Sequence, residues 1–164
     1  MHKTMDPSTL VSTFNALPRN RLSPSGSVPN HWHISLRHVP LSPPGHLLYI
    51  INPQARFVHV EGPLHSDYNT ASTELKASMW AMLLLKAFIE GLGSGSAGSV
   101  GRPWSWVSND AEMAGAVGET LRRMGVTAPE GMGVAGEEEN AIADEEWERF
   151  FGLLKGQVRG GGQQ

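Results

Sequence analysis

The chain reads as an α/β fold of α+β character, with a mixed sheet in the element order β-β-β-α-β-α-(β)-α. Three observations predict it. Residues 31–39 alternate apolar and polar side chains, as a half-buried strand requires, and Leu47–Val60 carries two apolar runs around a four-residue turn. The segment Arg102-Pro103-Trp104-Ser105-Trp106-Val107-Ser108-Asn109-Asp110 delivers a short apolar strand straight into a capped helix.

Length and composition set the scale. With 164 residues, 40% hydrophobic and 18% charged, the chain can bury one core with tails outside it. It has no cysteine, which excludes a disulfide framework, cysteine-ligated zinc and a thiol nucleophile. The net charge of −3 is too small to imply a partner, and the four basic residues among 1–45 form no cluster interleaved with aromatics. There is thus no strong nucleic-acid signal. The most apolar run, Ala77–Ile89, is shorter than the ~20 residues a bilayer core demands and contains Lys86, so no membrane span is expected. No apolar signal core follows Lys3, and Asp6-Pro7 disfavours a transit peptide, so an intracellular location, cytoplasmic or nuclear, is expected.

In chain order, residues 1–30 form an arm expected to be mostly disordered, with Ser23-Pro24-Ser25-Gly26-Ser27 as its low-complexity patch. Its one candidate ordered piece is a helix over 7–17: Asp6 is placed to cap it, Pro7 suits its first position, and Leu10, Val11, Phe14 and Leu17 share a side. A single α/β domain follows over 31–157. Its first strand puts Trp32, Ile34 and Leu36 on one face and His33, Ser35 and Arg37 on the other. After a Pro-rich turn at 40–45, Leu47–Ile51 and Arg56–Val60 flank Asn52-Pro53-Gln54-Ala55 and pair as an antiparallel hairpin.

A long helix over 70–90 is apolar nearly all round. Leu75, Met79, Met82 and Leu83 mark one side and Trp80, Leu84 and Phe88 another, which predicts burial on more than one face. Gly93-Ser94-Gly95-Ser96-Ala97-Gly98 is a linker into the Trp104 strand. In the helix over 110–124, Asn109 is the expected cap, with Glu112 reaching back to the Asn109 amide. Met113, Val117, Leu121 and Met124 form its stripe and Gly125 ends it; Gly115 and Gly118 each cost about 1 kcal/mol against Ala. Val126–Val134 is a weak fifth strand interrupted by Pro129 and Gly131, and Glu137-Glu138-Glu139 reads as an acidic bend. The last helix carries Ala143, Trp147, Phe150, Phe151 and Leu154 on one stripe, with Asp144, Glu145, Glu146 and Glu148 early and Lys155 late. Residues 158–164 are expected to be a disordered tail.

This element order is similar to that of ribonuclease H-like folds. The hairpin, the long helix, Arg102-Pro103-Trp104 with Asn109-Asp110-Ala111-Glu112-Met113-Ala114, Leu121-Arg122-Arg123-Met124-Gly125-Val126 and the closing Trp147–Phe151 helix together resemble a domain of unknown function. That domain occurs in uncharacterised fungal and bacterial proteins, some of the fungal ones alongside MYND-type zinc fingers. The resemblance covers 45–157 and implies a fold but no activity.

The residues bear on four chemistries. A two-metal phosphoryl-transfer site in a ribonuclease H-like order needs carboxylates from the first strand, the long helix and the end of the fourth strand. Asp110 and either Glu74 or Glu90 could supply two, yet the first strand, Trp32-His33-Ile34-Ser35-Leu36-Arg37, has no acid, and Asp110 and Glu112 are better used at a helix start. Histidines cluster at 31–65, and His31, His33 and His59 are the candidate zinc ligands, the first two about 7 Å apart on one strand face. A polar strand face is equally the ordinary place for solvated histidines. His33-Ile34-Ser35 lacks the second copy that a paired His-x-Ser phosphoesterase motif requires, and no serine sits in a nucleophile elbow. Trp104 and Trp106 alternate onto one face, buried if that face is interior and a recognition groove if it is not. The sequence therefore reads as a non-enzymatic interaction or regulatory module with a protein partner and no cofactor. The alternative is a zinc-dependent hydrolase or nuclease-like enzyme using His31, His33 and His59.

Overall fold

The computed structural model describes residues 6–22, 28–39, 45–64, 66–92 and 101–162. The expected low-complexity patch at 23–27, most of the Pro-rich turn and the Gly/Ser linker at 93–98 lie outside the described residues. Within them, a mixed five-stranded sheet carries helices on both faces. β1 (His31–Val39) is central; β2 (Gly45–Asn52) and β3 (Phe57–Glu61) extend it antiparallel on one side, and β4 (Ser105–Ser108) and β5 (Gly133–Val134) extend it parallel on the other. The hairpin forms because Asn52 Oδ1 accepts from the amides of Gln54 and Ala55 at 3.1 and 3.2 Å, closing the turn on itself.

The period of two in β1 decides which helices sit where. Trp32, Ile34, Leu48, Ile50 and Trp106 face α1 (Pro7–Ala16), α2 (Thr73–Ile89) and α3 (Ala111–Met124) in the larger core. Tyr49, Ile51 and Val39 face α4 (Glu137–Gly162) in a smaller one, around Ala143 and Trp147. An aromatic cluster anchors the larger core: Trp106 lies between Phe14 and Phe88, and Phe88 meets Trp32 edge-on with centroids 5.7 Å apart.

Several expectations shift by local physics. The arm contributes α1 to the main core, where Asp6 caps it by accepting from the Thr9 amide at 2.9 Å and Leu10, Val11 and Phe14 are buried. Buried Asn30 ties the arm down: its Nδ2 donates to the Asn20 and Arg102 carbonyls, its Oδ1 accepts from Trp32 Nε1, and its carbonyl accepts from the Trp104 amide. The cap of α3 is Asp110 rather than Asn109, because the Asp110 amide is already satisfied by Ser108 Oγ and its carboxylate is left to accept from Met113. Gly125 ends α3 in the left-handed conformation, with φ 103°. Glu137–Glu139 are the first turn of α4, where the helix dipole favours acids, and the helix runs on into the segment read as tail.

The two glycines within α3 have different reasons. A Cβ at Gly118 would lie 3.0 Å from the Met132 amide nitrogen, so the helix leans directly on the backbone that leads to β5; at Gly115 a Cβ meets open space. Gly118→Ala is therefore expected to destabilise the chain in urea or thermal unfolding, whereas Gly115→Ala stabilises it by about 0.5–1 kcal/mol. Equal effects at both sites would contradict the close approach.

Candidate functional site

Two regions concentrate polar chemistry, one on each face of β1. The first lies beneath α4. His31 Nδ1 is 2.6 Å from Ser105 Oγ, and its Nε2 approaches Glu139 Oε2 at 2.8 Å without the alignment of a hydrogen bond. His33 is fully buried; its Nε2 donates to Asn140 Oδ1 at 2.8 Å and its Nδ1 is buried without a partner. Arg37 donates to Ser35 Oγ and Asp144 Oδ1 while its guanidinium lies over the Tyr49 and Trp147 rings. Tyr49 Oη donates to the Ala143 carbonyl at 3.2 Å, and Arg56 pairs with Glu145 and Glu146. Apart from the contacts of Ser105, Ser35 and the Tyr49 ring, which lie within the sheet, each of these joins α4 to a sheet residue or to Arg56 in the β2–β3 turn.

His59 stands apart from this seam. Cross-strand register puts His59 beside Ile50 and Ile34, on the face that α2 covers, whereas His31 and His33 point at α4. The three imidazoles are thus split by the sheet and form no joint zinc site, and no group of three or more metal-ligating side chains occurs among the described residues. His59 is instead bonded to Glu61, which also accepts from Lys86 Nζ at 3.2 Å. Burial pushes the Glu61 carboxyl up, but the hydrogen bonds from His59 and Lys86 outweigh it and hold the group below its usual range.

The second region is the carboxyl end of parallel neighbours β1 and β4. There the connections depart in opposite directions, one to β2 and one to β5, which is where open α/β sheets form ligand crevices. Asp110 sits there, capping α3. The β1 residues are fully buried Ile34, Leu36 and exposed His38. Glu74 is in the first turn of α2, whereas Glu90 lies at the opposite end of that 17-residue helix, about 25 Å away, and pairs with Lys86. Carboxylates do not converge as a two-metal site requires. What gathers beyond this strand end is a cluster of imidazole and aromatic rings with one lysine. The His38 and His46 rings are 5.0 Å apart, His46 lies 5.6 Å from Tyr68, and Lys76 Nζ sits 5.1 Å over the Tyr68 ring. Burial, then the charges of His38 and Lys76, disfavour protonation of His46.

The tryptophans also separate. Trp106 is core, 1% exposed, its Nε1 donating to the Gly131 carbonyl, while Trp104 precedes the first residue of β4 and is 38% exposed under Arg19, with Arg21 beyond. Strand alternation does not apply outside the strand, so they line no common groove.

A feature not foreseen is the outer side of α2. Its core side is the stripe Ala77, Trp80, Ala81, Leu84, Leu85 and Phe88. The second apolar stripe is half-buried, as expected of a helix covered on more than one face: Met79, Met82 and Leu83 pack against the edge of the larger core and, with Ser78, Pro63 and Leu64, line an open groove of about 350 Å³, while Leu75 is exposed. The all-round apolar pattern was the sequence signal for it.

Comparison with known protein families, curated proteins and solved structures returns no match. Among the described residues no helix is long and apolar enough to cross a membrane.

The seam beneath α4 carries a pH dependence. Burial is the main reason the His33 imidazole is held below its usual 6.5, with Arg37 adding to it and Asn140, Glu139 and Asp144 opposing. The unfolded chain takes up this proton as pH falls through 6.5 while the folded chain resists it, so stability present at neutral pH declines below 6.5. His33→Gln keeps a donor for Asn140 but cannot titrate. Urea unfolding at about pH 7 and pH 5 is expected to show a smaller acid loss for the variant, the remainder including His46, whose shift has the same direction. An unchanged loss would show that His33 is not held neutral.

Proposed function

We propose that this chain is a non-catalytic, intracellular α/β interaction module whose strand order and orientation follow the ribonuclease H-like pattern without its chemistry. The observation that carries the reading is the carboxyl end of β1 and β4. Catalysis of that kind needs converging carboxylates to bridge two divalent ions. Here Ile34 and Leu36 occupy the β1 positions and the Asp110 carboxylate satisfies the Met113 amide. The histidines support the same reading, since His31 and His33 are committed to holding α4 and His59 to Glu61. A protein partner is the ligand class that the exposed apolar groove on α2 favours.

Elemental analysis of the purified chain after exposure to zinc, manganese and magnesium and extensive dialysis tests this reading. The expected result is no stoichiometric ion and no metal-dependent hydrolysis of phosphodiester substrates. A bound ion lost in His33→Ala would restore the zinc-hydrolase alternative and overturn the proposal.

A further inference from the structure

Three of the described imidazoles are committed to protein partners. His31 meets Ser105 and Glu139, His33 donates to Asn140, and His59 is bonded to Glu61. His38 and His46 differ. Neither ring has a hydrogen bond or ion pair among the described residues, so their nitrogens keep the capacity to bind something else.

Their meeting follows from register. Along the core-facing side of the β1–β2 pair, Ile34 stands opposite Ile50 and Leu36 opposite Leu48, and the next such pair is His38 and His46. The row turns from apolar to imidazole where β1 becomes exposed, at His38. Residues directly opposite in an antiparallel pair hold their Cβ atoms about 4.5–5.5 Å apart, close enough for both rings to reach one ion. The His46 ring is also held in place: its carbonyl accepts from the Leu64 amide at 2.9 Å, and the ring lies 5.6 Å from that of Tyr68, whose Oη accepts from Trp80 Nε1 at 2.9 Å.

Two imidazoles on one tetrahedral zinc, with nitrogen–metal distances of about 2.0–2.1 Å, have ring centres about 5 Å apart. The His38 and His46 ring centres are 5.0 Å apart, with the planes tilted by 56°. Lys76 is a cation beside the pair, but Glu74 in the first turn of α2 and the Asp110 carboxylate offset it, so an entering dication meets no net positive charge. Imidazole nitrogen suits zinc, copper and nickel; manganese and magnesium prefer carboxylate and water oxygen.

We propose that His38 and His46 together bind one zinc ion, clipping the end of β1 to the start of β2, with water in the remaining positions. The site stands beyond the interaction-module reading and does not rest on it. Two protein ligands make an equilibrium site, whose ion exchanges away in extensive dialysis and leaves the elemental analysis of the dialysed chain unchanged.

Isothermal titration of zinc into the full, metal-stripped chain at about pH 7.5, where imidazoles are neutral, tests the site. The expected result is saturable binding of one zinc per chain, and none of magnesium or manganese. Losing a group that merely orients a ligand costs about 10–100-fold in metal affinity, so His38→Ala and His46→Ala are each expected to weaken zinc at least about tenfold. His33→Gln is expected to leave it unchanged. His38 is exposed, so His38→Ala keeps the fold even if His46→Ala does not. In the proton NMR spectrum, zinc is expected to shift the His38 and His46 ring signals together and to spare those of His31, His33 and His59. No saturable binding, an affinity unchanged in His38→Ala, or binding lost in His33→Gln would overturn the assignment. A chain that takes up no zinc in the titration loses this site and keeps the non-catalytic reading; an ion that survives dialysis and is lost in His33→Ala overturns that reading and leaves this site standing.

Discussion

Everything in this structure hangs from the two faces of β1. The strand is central in the sheet, so its side chains, exposed His38 apart, lie against one helical layer or the other. Toward α2 and α3 it presents Trp32 and Ile34, which join the larger core; toward α4 it presents His31, His33, Ser35 and Arg37. A polar row on a covered face is costly unless each group finds a partner. Helix α4 supplies part of this through Glu139, Asn140 and Asp144, although His33 Nδ1 and Arg37 Nη2 stay buried without a hydrogen bond, and these contacts specify its position more narrowly than apolar packing of Ala143 and Trp147 alone would do. On the proposed reading, an imidazole held between the sheet and α4 serves as a fastener rather than as a base open to substrate.

On the other side of the strand the consequence is similar. Where parallel β1 and β4 end, Ile34 and Leu36 are the inward β1 positions and the Asp110 carboxylate stabilises a helix start. The outer side of α2, half-buried against the larger core, lines an open groove with Pro63 and Leu64.

How much of this was legible in the residues follows from what periodicity encodes. Alternation over 31–39 gave the strand and its two faces, and Asn52 with Pro53 gave the hairpin, because both are local geometry. Alternation says nothing of what covers a face, so His33 read as solvated until α4 was seen over it. It also could not show that His59 lies across the sheet, since that depends on the β2–β3 register. In α2 the apolar pattern recorded two sides, but only the three-dimensional neighbours show that the second is half-buried and lines a groove. The cap moved by one residue at Asn109–Asp110, where a hydroxyl two positions upstream, on Ser108, had taken the Asp110 amide. Trp104 misled because alternation was extended past the end of a strand of only four residues.

If no divalent ion is bridged between the ends of β1 and β4, as the proposed function requires, paramagnetic relaxation shows it residue by residue. Manganese(II) titrated into the isotope-labelled chain is predicted to leave the amide signals of Ile34, Leu36, Ser108 and Asp110 unbroadened relative to the rest of the molecule. Selective broadening centred on those four amides at low manganese would place an ion there and contradict the account.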